Sequence, residues 1–214
     1  MPLPAPFSRR PGTWWCLAAA VILAVLLMQP DLASSSPVVG QFLLFPNAKF
    51  LPCLAAPGQT PTAVVQVVKG DPNDTLTLST KGFKPGVNFD VFTVERSPQQ
   101  ANGSPVPGFT NFGLAWYQSD LQANSSVVLK TILVNQIFGF DPDASLSPTN
   151  TFHLGFWFNS PADAAPCGFN GVTPFNGDHN AGPLAFISRP NATTGLGPLC
   201  LDPDTSTSPA HCNA

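Results

Sequence analysis

Charged residues are scarce in this chain of 214 residues. They make up 10% of the sequence, and Glu occurs once, at Glu95. Helices on a protein surface are normally built from Glu, Lys, Gln and Arg, so this scarcity excludes a fold dominated by exposed helices. Phe, Val, Thr, Gly, Pro and Asn dominate instead, a composition typical of strands and turns. The composition predicts an all-β protein.

Basic residues are too few to suggest a polyanionic partner. The formal net charge is −3 at pH 7, and this slight acidity argues against nucleic acid and anionic membrane surfaces as partners. After the amino-terminal region, no stretch is long and apolar enough to span a bilayer. We therefore expect no membrane span in the mature chain.

The amino terminus has the pattern of a secretory signal peptide. Arg9 and Arg10 precede an apolar run at 14–28, and small residues follow at Ala33 and Ser35. A charged start, a short apolar core and small residues at the exit are typical of a cleaved signal. We predict a signal peptide at 1–35, a domain at 36–188 and a turn-rich, cysteine-linked tail at 189–214. An uncleaved signal anchor is the alternative.

Short strands with turn signals between them recur along the rest of the chain. Residues 75–80 alternate with Leu76 and Leu78 on one face, as in a half-buried antiparallel strand. Residues 112–118 and 126–134 read as two strands of a hairpin, with Trp116 on the same face as Phe112. Eight or nine strands of this kind predict an antiparallel two-sheet sandwich.

One phrase resembles a known architecture. Residues 81–95 (KGFKPGVNFDVFTVE) combine a Pro85-Gly86 turn with an aromatic, alternating strand. This resembles the strand–turn–strand phrase of immunoglobulin-like and fibronectin-like sandwiches. The resemblance covers about fifteen residues, the extent of one hairpin, and implies an architecture and no particular function.

Four cysteines follow the predicted signal peptide. An even number in an exported chain indicates two disulfides. Sequence allows three connectivities; we favour Cys200–Cys212, closing the tail locally, and Cys53–Cys167, tying a long loop to the amino-terminal part. The absence of a CxxC spacing argues against a zinc site made of cysteines.

Catalytic signatures are missing. The chain has no G-x-S-x-G elbow and no recognisable Cys/His arrangement. Its Asp-Pro pairs are typical of turns, with calcium binding as the alternative. A metal site could be assembled from His153, Asp178 and His179 on residue type, although their spacing has no recognised pattern. A metal-dependent enzyme using these three residues is therefore an alternative, and no other cofactor is expected.

The segment 150–159 (NTFHLGFWFN) is the most strongly patterned aromatic stretch. Strand alternation places Phe152, Leu154, Phe156 and Phe158 on one face. His153 and Trp157 fall on the other face, and Tyr117 faces outward on its own strand. These three residues are candidate binding residues, because exposed aromatic side chains can stack on sugars or anchor protein partners. We favour the other interpretation for Trp157, that it packs beneath the long loop that follows this strand, because large aromatic residues are usually well buried.

The sequence predicts a secreted, non-catalytic module that binds a glycan or a protein. A purely structural envelope or matrix protein is a further alternative. Four N-x-S/T triplets lie in predicted turns and are candidate N-glycosylation sites. They begin at Asn73, Asn102, Asn124 and Asn191.

Overall fold

A computed structural model describes residues 38–68, 74–113, 115–123, 127–134, 153–171, 173, 180–200 and 203–212. The chain separates into Met1–Ser35 and Ser36–Ala214, a boundary that coincides with the predicted end of the signal peptide. The signal peptide itself lies outside the described residues and stays a prediction. None of the described helices has the length and hydropathy needed to cross a membrane.

The described part is mostly strand, as the composition predicts. Two single-turn helices, α1 (Leu51–Leu54) and α2 (Pro161–Ala164), adjoin the 3-10 turns Ala48–Phe50 and Ala165–Cys167. The strands, in chain order, are β1 (Val38–Pro46), β2 (Thr62–Val68), β3 (Asp74–Lys81), β4 (Asn88–Val94), β5 (Ala115–Gln122), β6 (Val127–Val134), β7 (His153–Phe158), β8 (Leu184–Ser188), β9 (Pro203–Asp204) and β10 (His211–Cys212).

Eight of these strands form one continuous antiparallel sheet. Their order is β5-β4-β7-β8-β1-β2-β3-β6, and β9 and β10 form a separate small hairpin. The expected division into two sheets is therefore not confirmed. The expected hairpin of residues 112–118 and 126–134 is wrong, because β5 pairs with β4 and β6 pairs with β3.

The position of β5 and β6 requires the sheet to curl. In a flat sheet with strands about 4.8 Å apart, the two edge strands would be separated by roughly 34 Å. The four residues that join them, 123–126, can bridge about 18 Å at most. β5 and β6 indeed contact each other. The sheet therefore closes around one of its own faces.

The enclosed face forms the main core. Alternate residues of the strands enter it, as Val65 of β2 and Leu78 of β3 show, which lie opposite each other and are both 0% exposed. Aromatic rings fill the centre, where Phe156 stacks on Phe186 with ring centroids 5.1 Å apart. The core extends beyond the sheet, since Leu199 of the predicted tail packs into the same cluster.

Both favoured disulfides are present. Cys53 at the end of α1 bonds to Cys167 after α2, and Cys200 bonds to Cys212. Near the first bridge, Phe50 packs edge-on against Phe169 with centroids 6.1 Å apart. The bridge and this aromatic contact fix the segment after β7 to the segment after β1.

Candidate functional site

Strand β7 buries both of its faces. Leu154, Phe156 and Phe158 are each 0% exposed and belong to the main core, as their alternation predicts. Phe152, the fourth residue expected on this face, lies outside the described residues. The opposite face carries His153 and Trp157, two of the candidate binding residues predicted from the sequence.

Trp157 is 1% exposed, so it cannot stack on a ligand from solvent. Its ring packs edge-on against Phe92 of β4 (centroids 5.5 Å apart) and against Phe112 (5.0 Å). Phe112 belongs to residues 95–113, which we call the β4–β5 loop. We call Phe92, Val94, Trp157 and Ile187 the outer cluster. Alternation placed Trp157 on the outer face, but it could not show that this loop covers that face.

His153 is buried as well, with 5% of its surface exposed, and is equally inaccessible to a ligand. Its Nδ1 lies 3.0 Å from the Ser188 Oγ, which also accepts the Leu154 N–H at 3.1 Å. Burial lowers the pKa of His153 from 6.5 to about 4, and hydrogen bonding to the Ser188 backbone opposes the shift. The imidazole is therefore neutral at pH 7.

The metal hypothesis gains no structural support from His153. Its proposed partners, Asp178 and His179, lie outside the described residues, so the three-residue site stays a prediction. Within the described ranges, no three His, Cys, Asp or Glu side chains come together as metal ligands would. In the tail, the Nε2 atom of His211 lies 3.4 Å from the Oδ2 atom of Asp204. This contact involves two residues only and lies on an exposed hairpin.

The exposed aromatic side chains of the described residues lie on β5. Trp116 and Tyr117 are 52% and 50% exposed, and Leu43 on β1 is the other large hydrophobic side chain of the described part with comparable exposure, at 53%. The strand is an edge of the sheet, with β4 as its one hydrogen-bonded neighbour. The sequence predicts that Tyr117 faces outward, and it places Trp116 on the opposite face, with Phe112.

A bulge in β5 separates its two halves. Val91 of β4 pairs with Ser119, but the next residue, Phe92, pairs with Tyr117, so Gln118 is the extra residue. A bulge of this kind shifts the side chains that follow it and bends the strand. Strand alternation read from the sequence cannot reveal that a strand lies at the edge of a sheet, which is why Trp116 was missed.

Tyr117 links the outer cluster to solvent. Its ring packs edge-on against Phe92 with centroids 5.5 Å apart, while its hydroxyl donates to the Asp120 Oδ1 at 2.6 Å. Partial burial, this hydrogen bond and the negative charges of Asp120 and Asp90, in that order, raise the pKa of Tyr117 to about 12. β5 thus presents one exposed aromatic ring beside a carboxylate, and the residue before it, Trp116, presents a second exposed ring.

Two of the four candidate glycosylation sites are described. Asn102 and Asn191 are exposed, and each accepts a backbone N–H two residues later, at 2.9 Å from Ser104 and 2.8 Å from Thr193. Both therefore lie in turns, where a glycan would be sterically tolerated. Asn73 and Asn124 lie outside the described residues, and glycosylation stays a prediction.

Comparison of the chain with protein-family models, with curated proteins and with solved structures found no match.

Proposed function

We propose that the chain is a secreted, non-catalytic module that binds a glycan through Trp116 and Tyr117. The observation that carries the proposal is the exposure of two adjacent large aromatic side chains on an edge strand. Large aromatic residues are usually buried, and those that remain exposed are typical of binding sites. Trp and Tyr suit this role because each combines an apolar ring with a hydrogen-bonding group.

Polar groups beside the rings favour a carbohydrate ligand. Gln118 is half-buried, whereas Asp120 and Gln122 are exposed. Amide and carboxylate groups exchange hydrogen bonds with hydroxyl groups, and the aromatic faces can cover the C–H surface of a sugar ring. The negative charge of Asp120 disfavours an acidic glycan, so we expect a neutral or basic sugar.

Export is supported by the cysteine chemistry. Two disulfides are typical of proteins that reach an oxidising compartment, and the chain contains both bridges. The sandwich-like architecture is part of the same proposal: the curled sheet lets its two halves face each other across one core, as two sheets do in a sandwich. The residues of the immunoglobulin-like phrase form the turn at Gly86 and strand β4.

A glycan array with the purified chain tests the ligand. We expect Trp116→Ala and Tyr117→Ala each to weaken binding at least about fivefold, which is the effect of losing a contact residue worth more than about 1 kcal/mol. Leu43→Ala is the matched control, because Leu43 is equally exposed but lies on β1, four strands away in the sheet. Full binding by both aromatic variants would contradict the site, and a chain that binds no glycan would contradict the ligand class.

A further inference from the structure

Three asparagines of the chain are followed directly by glycine: Asn102, Asn170 and Asn176. In an Asn-Gly pair the backbone nitrogen of the glycine can attack the side-chain carbonyl carbon of the asparagine, because glycine has no Cβ atom to hinder the approach. Asparagine is accordingly one of the thermolabile residues. Asn176 lies outside the described residues, so the comparison that the structure permits is between Asn102 and Asn170.

Hydrogen bonds restrain both reacting groups at Asn102. The Gly103 N–H, whose nitrogen would attack, donates to the Gln100 carbonyl oxygen at 2.9 Å. The Asn102 Oδ1 accepts the Ser104 N–H at 2.9 Å and the Ser104 hydroxyl at 2.7 Å. Rotation of the side chain towards the Gly103 nitrogen would have to break these bonds. The turn therefore opposes the reaction at Asn102, although the side chain of Asn102 is exposed.

The corresponding groups at Asn170 are unrestrained. Asn170 and Gly171 are both exposed. Within the part of the chain that the structure describes, nothing forms a hydrogen bond with the Asn170 side chain or accepts the Gly171 N–H. The space around Gly171 is also open: apart from the adjacent residues, a Cβ atom there would have the Phe169 ring as its nearest neighbour, at 3.7 Å. The backbone nitrogen and water can both reach this amide.

The contacts on either side of Asn170 do not depend on its side chain. Phe169 packs edge-on against Phe50, and the Thr173 N–H donates to the Ala181 carbonyl oxygen at 2.9 Å. These contacts hold the chain before and after the Asn-Gly pair. A chemical change at Asn170 therefore leaves the packing of the core in place.

We propose that Asn170 is a site of spontaneous deamidation, in which its amide becomes a carboxylate, and that the turn at Asn102 slows the same reaction there. The Gly171 nitrogen gives up its proton and forms a bond to the Asn170 Cγ atom, while the bond from Cγ to the side-chain nitrogen breaks and releases ammonia. Water then opens the cyclic imide on either side of the Gly171 nitrogen, which gives aspartate or isoaspartate.

The net reaction at Asn170 consumes one water molecule, releases one ammonium ion and involves no oxidation or reduction. Each chain that has reacted carries one additional negative charge on the segment after α2. Older molecules therefore differ in charge from newly made ones. This modification is independent of the proposed glycan site.

Peptide mapping by mass spectrometry tests the proposal on the full chain, produced in a host that does not glycosylate Asn102. The protein is incubated at mildly alkaline pH, then reduced and digested with chymotrypsin, which separates Asn170 from Asn176 by cleaving after Phe169 and Phe175. A sample digested without incubation gives the background. Since each hydrogen bond at Asn102 contributes about fivefold, we expect Asn170 to react at least about tenfold faster than Asn102.

Unfolding the chain is the first control for this comparison. In denaturant with the disulfides reduced, Asn102 and Asn170 should react at similar rates, because the hydrogen bonds of the Asn102 turn are then lost. Similar rates at the two residues in the native chain would overturn the proposal. So would an Asn170 that reacts in the unfolded chain and stays intact in the native one.

Two variants test the cause of the difference. Ser104→Ala removes one hydrogen bond to the Asn102 Oδ1 and should raise the rate at Asn102 about fivefold without changing the rate at Asn170. Gly171→Ala adds a Cβ atom beside the attacking nitrogen and should slow the reaction at Asn170 several-fold without changing the rate at Asn102. An unchanged rate at Asn102 in the Ser104→Ala variant would contradict the protective role of the turn.

Discussion

The hydroxyl of Tyr117 provides a direct spectroscopic measure of the proposed binding strand. Tyr117 is the one tyrosine of the chain, so the alkaline change in near-ultraviolet absorbance reports this residue alone. We expect a pKa of about 12. Burial is the largest cause of this raised pKa and persists in the variant, but the hydrogen bond to Asp120 and the charge of Asp120 also contribute, so Asp120→Asn should lower the pKa part of the way towards 10.0.

The matched control for this titration is Asp204→Asn, which removes a carboxylate from the tail hairpin. It should leave the Tyr117 pKa unchanged. Equal pKa values in the Asp120→Asn variant and the unaltered chain would show that Tyr117 and Asp120 do not interact in solution.

Gly155 is required by its neighbours on the outer face of β7. A Cβ atom at this position would lie 3.0 Å from the Phe186 carbonyl oxygen, 3.2 Å from the Trp157 ring and 3.3 Å from the Ile187 side chain. Gly155→Ala should therefore lower the free energy of unfolding by about 1–3 kcal/mol, as overpacking does in other cores. Chemical denaturation measures this change.

Gly171→Ala is the control for Gly155→Ala. Its Cβ would have no neighbour closer than 3.7 Å and the residue needs no positive φ. We expect a change within about 0.5 kcal/mol, the range of ordinary surface substitutions. Similar losses in the two variants would contradict the packing explanation.

At the scale of elements, the two disulfides should differ in their effect on stability. Cys53 and Cys167 are 114 residues apart, whereas Cys200 and Cys212 are 12 apart. Since a longer loop loses more entropy when it is closed in the unfolded chain, the first bridge should stabilise the fold by about 2 kcal/mol more than the second. The first also holds α1 against the turn after α2.

Chemical denaturation checks this difference by comparing two double variants, Cys53→Ser/Cys167→Ser and Cys200→Ser/Cys212→Ser. Each double variant removes one bridge and leaves no unpaired partner, so each serves as the control for the other. A larger loss of stability in the Cys200→Ser/Cys212→Ser variant would contradict the expected order.

Over the whole molecule, sequence patterns predicted the local features well. Alternation identified the inward residues of β3 and β7, because the face on which a residue lies depends on its neighbours along the same strand. The favoured disulfide pairing is confirmed. The order of strands was beyond these patterns: β5 and β6 are consecutive but lie at opposite edges of the sheet. Which strands become neighbours depends on contacts between distant segments.

The same limit explains the candidate site. His153 and Trp157 were expected on the outer face of β7, but their burial depends on Ser188 and Phe112, which belong to other parts of the chain. Trp116 was missed because the edge position of β5 depends on which strands pair in the whole sheet. The exposure of a side chain depends on the assembled sheet, so the residue pattern of a single strand cannot predict it.

The central place of β8 has a consequence for the time at which the protein can fold. β8 lies between β7 and β1, so it joins the earliest strand of the sheet to the latter half of the chain. Until residues 184–188 have been synthesised, β1 lacks one neighbour and the sheet remains in two pieces, β5-β4-β7 and β1-β2-β3-β6. Pairing over such a long sequence separation is slow. Completion of the sheet must therefore wait until residues 184–188 are available, so the fold can be finished only late in the synthesis of the chain.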